Sequence, residues 1–244
     1  MIEEKSNSER FLSAFATIEN EMERRVRSDR YISYAEMTRR MAKMDRTYAR
    51  YQKYLEEFGD LRNAIVHERI DGEVIAEPHM KLVLEIEQIA KLLTSPEKAK
   101  DVFQRTVKVL LKDEKLGDAM RKMMNDHFSK LPVYDEGHKF VGILTSDAIT
   151  YYLAKHIGEV EKCIPDVKVM DVLASDDKSR EVSFMPINTN LVSIVNEFER
   201  SLAQGKKLNA VILTQDGALN QKPLGIITIA DLPILYERIN KNLL

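Results

Sequence analysis

One cysteine, no tryptophan and no long apolar run remove several function classes at once. Cys163 has no partner within the chain, which excludes intramolecular disulfides and suits a reducing compartment. A membrane span needs about 18 or more apolar residues in a row, and no such stretch occurs. The opening MIEEKSNSER is charged and has no leader-like apolar segment. A net charge of −2 gives no global attraction to nucleic acid or to an acidic membrane. The five histidines, at 67, 79, 127, 138 and 156, lack ligand spacing, so no metal is expected. These absences predict a soluble cytoplasmic protein without a membrane partner. A chain of 244 residues still has ample material for one or two buried cores.

Glycine and proline are scarce before Ser95-Pro96, and apolar residues there recur at helical spacing. Phe11, Phe15, Ile18 and Met22 form one stripe; Leu82, Ile86, Ile89 and Leu93 form another. Between them, residues 21–50 carry nine Lys/Arg against five acids, 9 − 5 = +4. Tyr31, Tyr34 and Tyr48 are interleaved there and Tyr51 and Tyr54 follow, as a stacking surface for RNA would require or as helix packing would. After Pro96 the pattern alternates strand and helix. Strands are expected at Val107–Leu111, Leu131–Tyr134, Phe140–Leu144, Val182–Met185, Ala210–Leu213 and Leu224–Ile227. The predicted organisation is α+β: a helical domain at 1–95, one repeat at 96–158 and a second at 159–244, with 158–181 as linker.

The repeat is visible residue by residue. Leu131 to Ile149 reads LPVYDEGHKFVGILTSDAI, and Leu208 to Leu232 reads LNAVILTQDGALNQKPLGIITIADL. Gly142 and Thr145 match Gly225 and Thr228 at an offset of 83, whereas Val107 and Leu116 match Val182 and Leu191 at 75. The offset grows where loops lengthen, which a duplicated fold tolerates.

A strand that ends at Ile227 and gives way to a helix near Thr228 presents backbone N–H groups at the turn, an anion site suited to phosphate. Asp231, three residues on, could accept hydrogen bonds from a vicinal diol such as a ribose. The same Thr-x-x-Asp spacing could equally form a capping box. In the first copy the acid is Asp147, one residue earlier and about 100° around the helix.

These residues resemble the tandem CBS domain pair, or Bateman module, from about Lys98 onward. The resemblance implies two β-α-β-β-α repeats packed as a pseudo-twofold pair. It also implies an adenine nucleotide (AMP, ADP, ATP or another adenosyl compound) as regulatory ligand. It places the stronger site at Thr228 and Asp231 and a weaker one at Thr145 and Asp147. Val182-Ser183 and Thr106-Val107 would wall the base pockets.

Leu61-Arg62-Asn63-Ala64-Ile65-Val66-His67 resembles the Arg-Asn-x-x-x-His signature of HEPN domains, helical bundles that often dimerise and in many cases cleave RNA without a metal. On a helix, Asn63 and His67 share a face, while Arg62 stands about 140° from His67. His67 could move protons, Arg62 could hold a phosphate, and Asn63 could orient either. One chain supplies one such histidine, so a symmetric homodimer is expected. The two readings are a nucleotide sensor controlling a HEPN-like effector, with ribonuclease activity and an RNA partner as its catalytic form, and a non-catalytic ligand-responsive adaptor.

Overall fold

Side-chain oxygens start the N-terminal helices. Ser6 caps α1 (Asn7–Val26) in a reciprocal box with Glu9, and Ser33 caps α2 (Tyr34–Met44) through the Glu36 N–H. Asp45 accepts from the Thr47 N–H as α3 (Arg46–His67) begins. A short antiparallel pair, β1 (Arg69–Ile70) and β2 (Glu73–Val74), precedes α4 (Met80–Thr94). The computed structural model describes residues 5–28, 30–67, 69–70, 73–74, 77–158 and 166–240; among these, the side chains of 67, 69, 70, 73, 74 and 240 lie outside the description. The chain divides into two compact units: Met1–Glu97 with Asn190–Asn196 and Pro233–Leu244, and Lys98–Thr189 with Glu197–Leu232. No helix among the described residues is long and apolar enough to cross a membrane.

In the first unit the apolar stripes do the packing. Helix α1 packs on α4 and α2 on α3. Phe11, Phe15, Ile18 and Met22 are buried with Met37, Met41, Leu55, Phe58, Ile86, Ile89 and Leu93. The tyrosine run divides: Tyr48 and Tyr51 are core, while Tyr31 and Tyr54 are exposed. Part of the basic run is paired, Arg24 and Arg25 with Glu21, Arg25 with Asp45, and Arg30 and Arg40 with Glu36. Packing and local ion pairs thus account for much of a segment that could have been a stacking surface.

The second unit holds two three-stranded sheets of the same order and sense. In the first, β3 (Leu110–Leu111) lies parallel to β4 (Lys130–Tyr134), which pairs antiparallel with β5 (Phe140–Thr145). In the second, β6 (Val182–Pro186), β7 (Ala210–Thr214) and β8 (Gly225–Ile227) repeat the pattern. Leu110, Val133 and Gly142 form one cross-strand row, and Met185, Leu213 and Gly225 form its counterpart. Position by position these rows differ by 75, 80 and 83.

Each glycine of that row lies under a passing backbone. A Cβ on Gly225 would come within 2.6 Å of the Phe103 carbonyl oxygen, and one on Gly142 within 3.2 Å of the Ser179 carbonyl oxygen. The approach is reciprocal: the Arg105 N–H donates to the Leu224 carbonyl (2.9 Å), and the Ile143 N–H to that of Ser179 (2.8 Å). The segment ahead of each lobe's first strand therefore lies on the other lobe's third strand. The expected strand Val107–Leu111 is observed only at Leu110–Leu111. The stretch 158–181, read as linker, also differs: α8 (Val169–Ala174) buries Val169, Val172 and Leu173 in the core formed by Leu110, Leu116, Met123, Val133 and Leu144. Helices α5 (Ala99–Phe103), α6 (Leu116–Asn125), α7 (Ser146–Lys155), α9 (Leu191–Ala203) and α10 (Leu232–Asn240) complete the chain.

Candidate functional site

The two strand-to-helix turns occupy equivalent places and are built differently. In the first lobe Thr145 is buried and caps α7, its Oγ1 accepting from the Ala148 N–H at 3.0 Å. The Ser146 N–H donates to the Ser129 carbonyl, also at 3.0 Å. Asp147 points outward, its side chain 90% exposed, with Oδ2 3.9 Å from Lys207 Nζ. Thr145 and Asp147 line a cavity of about 340 Å³ together with Tyr151, Lys178, Lys207 and Asn209. Asp176, Asp177 and Glu181 also border it.

Lys130 reaches this region from the first residue of β4. Its Nζ donates to the Asn209 carbonyl at 2.9 Å. Burial pushes the Lys130 ammonium below its ordinary range, and the charge of Lys207 acts in the same direction, with Asp147 opposing both. Asn209 is fixed in turn, donating through Nδ2 to the Lys178 carbonyl (3.0 Å) and through its N–H to that of Glu181 (2.7 Å). None of Lys130, Lys207 and Asn209 stood out in the sequence. The Lys206-Lys207 pair ahead of a strand was the only local signal.

In the second lobe Thr228 and Asp231 bond to one another. Asp231 Oδ2 accepts from the Thr228 N–H at 2.7 Å and from its hydroxyl at 3.0 Å, while the Asp231 N–H donates to the Thr228 carbonyl at 3.0 Å. The Leu232 N–H bonds to the Ile229 carbonyl. The spacing that could have served a diol here forms a capping box, and the N–H groups of Thr228, Asp231 and Leu232 are engaged. Val182 pairs with Ala210, and the β7–β8 register carried one step further sets Thr228 opposite Ala210. Val182 and Ser183 are half-buried at that end of the sheet, whereas Thr106 is exposed and Val107 half-buried, both ahead of β3.

The N-terminal motif is brought together in part. Arg62 Nη1 donates to Asn63 Oδ1 at 3.3 Å. Both line a cavity of about 370 Å³ that also takes in Glu19, Glu23, Glu56 and Asp60. Burial raises the Glu19 carboxyl above its ordinary range, against the lowering charge of Arg62. His67 closes α3, but its side chain lies outside the described residues, as do Glu68, Ile75 and Ala76.

Residues 99–155 match the family model of the CBS domain, which bears out the CBS resemblance over that stretch. Homoserine O-acetyltransferase of Methanosalsum zhilinae is 35% identical over 88 residues, covering 32% of this chain and 18% of that protein. The chain thus spans under a fifth of the length of that curated relative. Two solved structures are similar at low identity. The CBS domain of the bacterial CNNM/CorC family Mg2+ transporter in complex with ATP has a TM-score of 0.44 at 18% identity, covering 63% of this chain and 93% of that one. CBSX2 in complex with AMP has a TM-score of 0.42 at 16% identity, covering 59% and 98%.

Proposed function

We propose that the chain is an adenosine-nucleotide-binding regulatory protein that takes its ligand in the cavity beside Thr145 and Asp147. The observation that carries this reading is the cavity itself, where an exposed carboxylate, a capped helix start and basic side chains converge. Asp147 accepts a ribose diol, a bond to a charged acceptor worth about 1.5–3 kcal/mol. An ion pair between side chains 65% and 90% exposed contributes little, so Asp147 exchanges Lys207 for the diol at low cost. Lys207 and Asn209 follow α9, whose first part, through Asn196, belongs to the unit containing the N-terminal helices. Ligand binding is thereby linked through one helix to that unit, and coupling of ~1–3 kcal/mol suffices for control.

Titration calorimetry with AMP, ADP and ATP tests the reading. Wild type and Asp231→Ala should bind, and Asp147→Ala should bind at least about tenfold more weakly. Silence of the wild type across all three nucleotides would sink it.

For the helical unit we favour a non-catalytic adaptor over the HEPN-like ribonuclease. Glu19, Glu23, Glu56 and Asp60 share the cavity of Arg62 and Asn63, four carboxylates against one cation among the described lining residues. Lys178 and Lys207 both line the cavity beside Thr145, so the balance at Arg62 is the less favourable to a phosphodiester. The expected result with single-stranded RNA in EDTA is no cleavage. Cyclic-phosphate products that vanish in His67→Ala would restore the catalytic reading of Arg62, Asn63 and His67.

A further inference from the structure

Helix starts commonly receive phosphate through free N–H groups, yet at α7 two of these are spent. Ser146 N–H bonds to the Ser129 carbonyl and Ala148 N–H to Thr145 Oγ1. Asp147, in the first turn, adds a negative charge at the same end of the helix. Positive charge comes from elsewhere. Lys207 and Asn209 line the cavity, and Lys130 donates to Asn209 through its carbonyl at 2.9 Å and its Oδ1 at 3.5 Å. An ammonium carries three donors, so with two directed at Asn209 Lys130 keeps one for an incoming acceptor. Asp176, Asp177 and Glu181 border the same cavity, which leaves the lysine side as the favourable place for negative charge.

We propose that Lys130 and Lys207 hold the phosphate of the nucleotide, making the site selective for phosphorylated adenosines over adenosine and over cationic S-adenosyl compounds. The inference rests on the reading of this cavity as an adenosyl site. A second observation comes from the duplicated register. The rows that equate Val133 with Leu213 equate Lys130 with Ala210, so the second lobe lacks a lysine at that position. The two copies have diverged at the residue that a phosphate requires. Burial and the neighbouring Lys207 both disfavour the charged form of Lys130, a burden that an anion between them would relieve.

The test is calorimetry on the full chain with adenosine, AMP, ATP and S-adenosylmethionine at physiological salt. AMP and ATP should bind at least about tenfold more tightly than adenosine or S-adenosylmethionine. Lys207→Met and Lys130→Met should each remove most of that preference, while Lys130→Arg, which keeps the charge, retains it. Far-UV circular dichroism identifies any variant that has failed to fold, and Lys207→Met then decides alone, because its side chain is exposed. Equal affinity for adenosine and AMP overturns the phosphate assignment and leaves the adenosyl site standing. Failure of every compound to bind wild type overturns the functional reading and this assignment together.

Discussion

The turns at Thr145 and Thr228 are the same position in two copies of one fold, and they show how one residue of displacement separates an exposed carboxylate from a capping one. Asp231, three residues after its threonine, folds back onto it and completes the helix start. Asp147, two residues after Thr145, cannot close that ring and points into solvent beside Lys207. The acid three residues after its threonine is the one consumed by local structure. The displaced one stays exposed beside Lys207.

The sharpest way to break the comparison is through the glycines of the shared row. Gly225→Ala drives a Cβ into the Phe103 backbone, which cannot yield like a side chain, and should cost about 3 kcal/mol. Gly142→Ala meets Leu173 Cδ1 and the Ser179 carbonyl at 3.2 Å and should cost about 1 kcal/mol. Urea unfolding of both variants checks this, and equal losses would mean that the two crossings are equally tight. Smaller effects separate the two acids without any ligand. Asp231→Ala removes the capping box and should destabilise by about 1 kcal/mol. Asp147→Ala changes an exposed group and should stay within about 0.5 kcal/mol. Matching losses from the two would erase the structural distinction between the turns.

The duplication was legible because loops absorbed the length changes, leaving offsets of 75 and 83 on residues that the sheet rows align. The stripe of Phe11, Phe15, Ile18 and Met22 was equally plain, since helical periodicity reports burial directly. Three features were not legible. Helix α8 is six residues long and flanked by charge, so its apolar side chains looked like linker. The crossing of Phe103 over Gly225 pairs residues more than a hundred positions apart, and no local pattern encodes it. Lys130 and Lys207 looked like ordinary solvated charge until Asn209 and the first turn were seen beside them. The tyrosines were ambiguous for the opposite reason, because spacing alone cannot distinguish a packed ring from a displayed one, and Tyr48 and Tyr31 took the two extremes.

The reciprocal crossing has a consequence for how the protein is made. The first lobe's core stays open until α8 has been synthesised, and its third strand is covered only when Ser179 arrives. The second lobe, by contrast, must wait for nothing, because Phe103 was translated long before β8. The nascent chain therefore carries an unfinished first lobe from β5 until α8 and Ser179 arrive, and the second lobe closes only later, with β8.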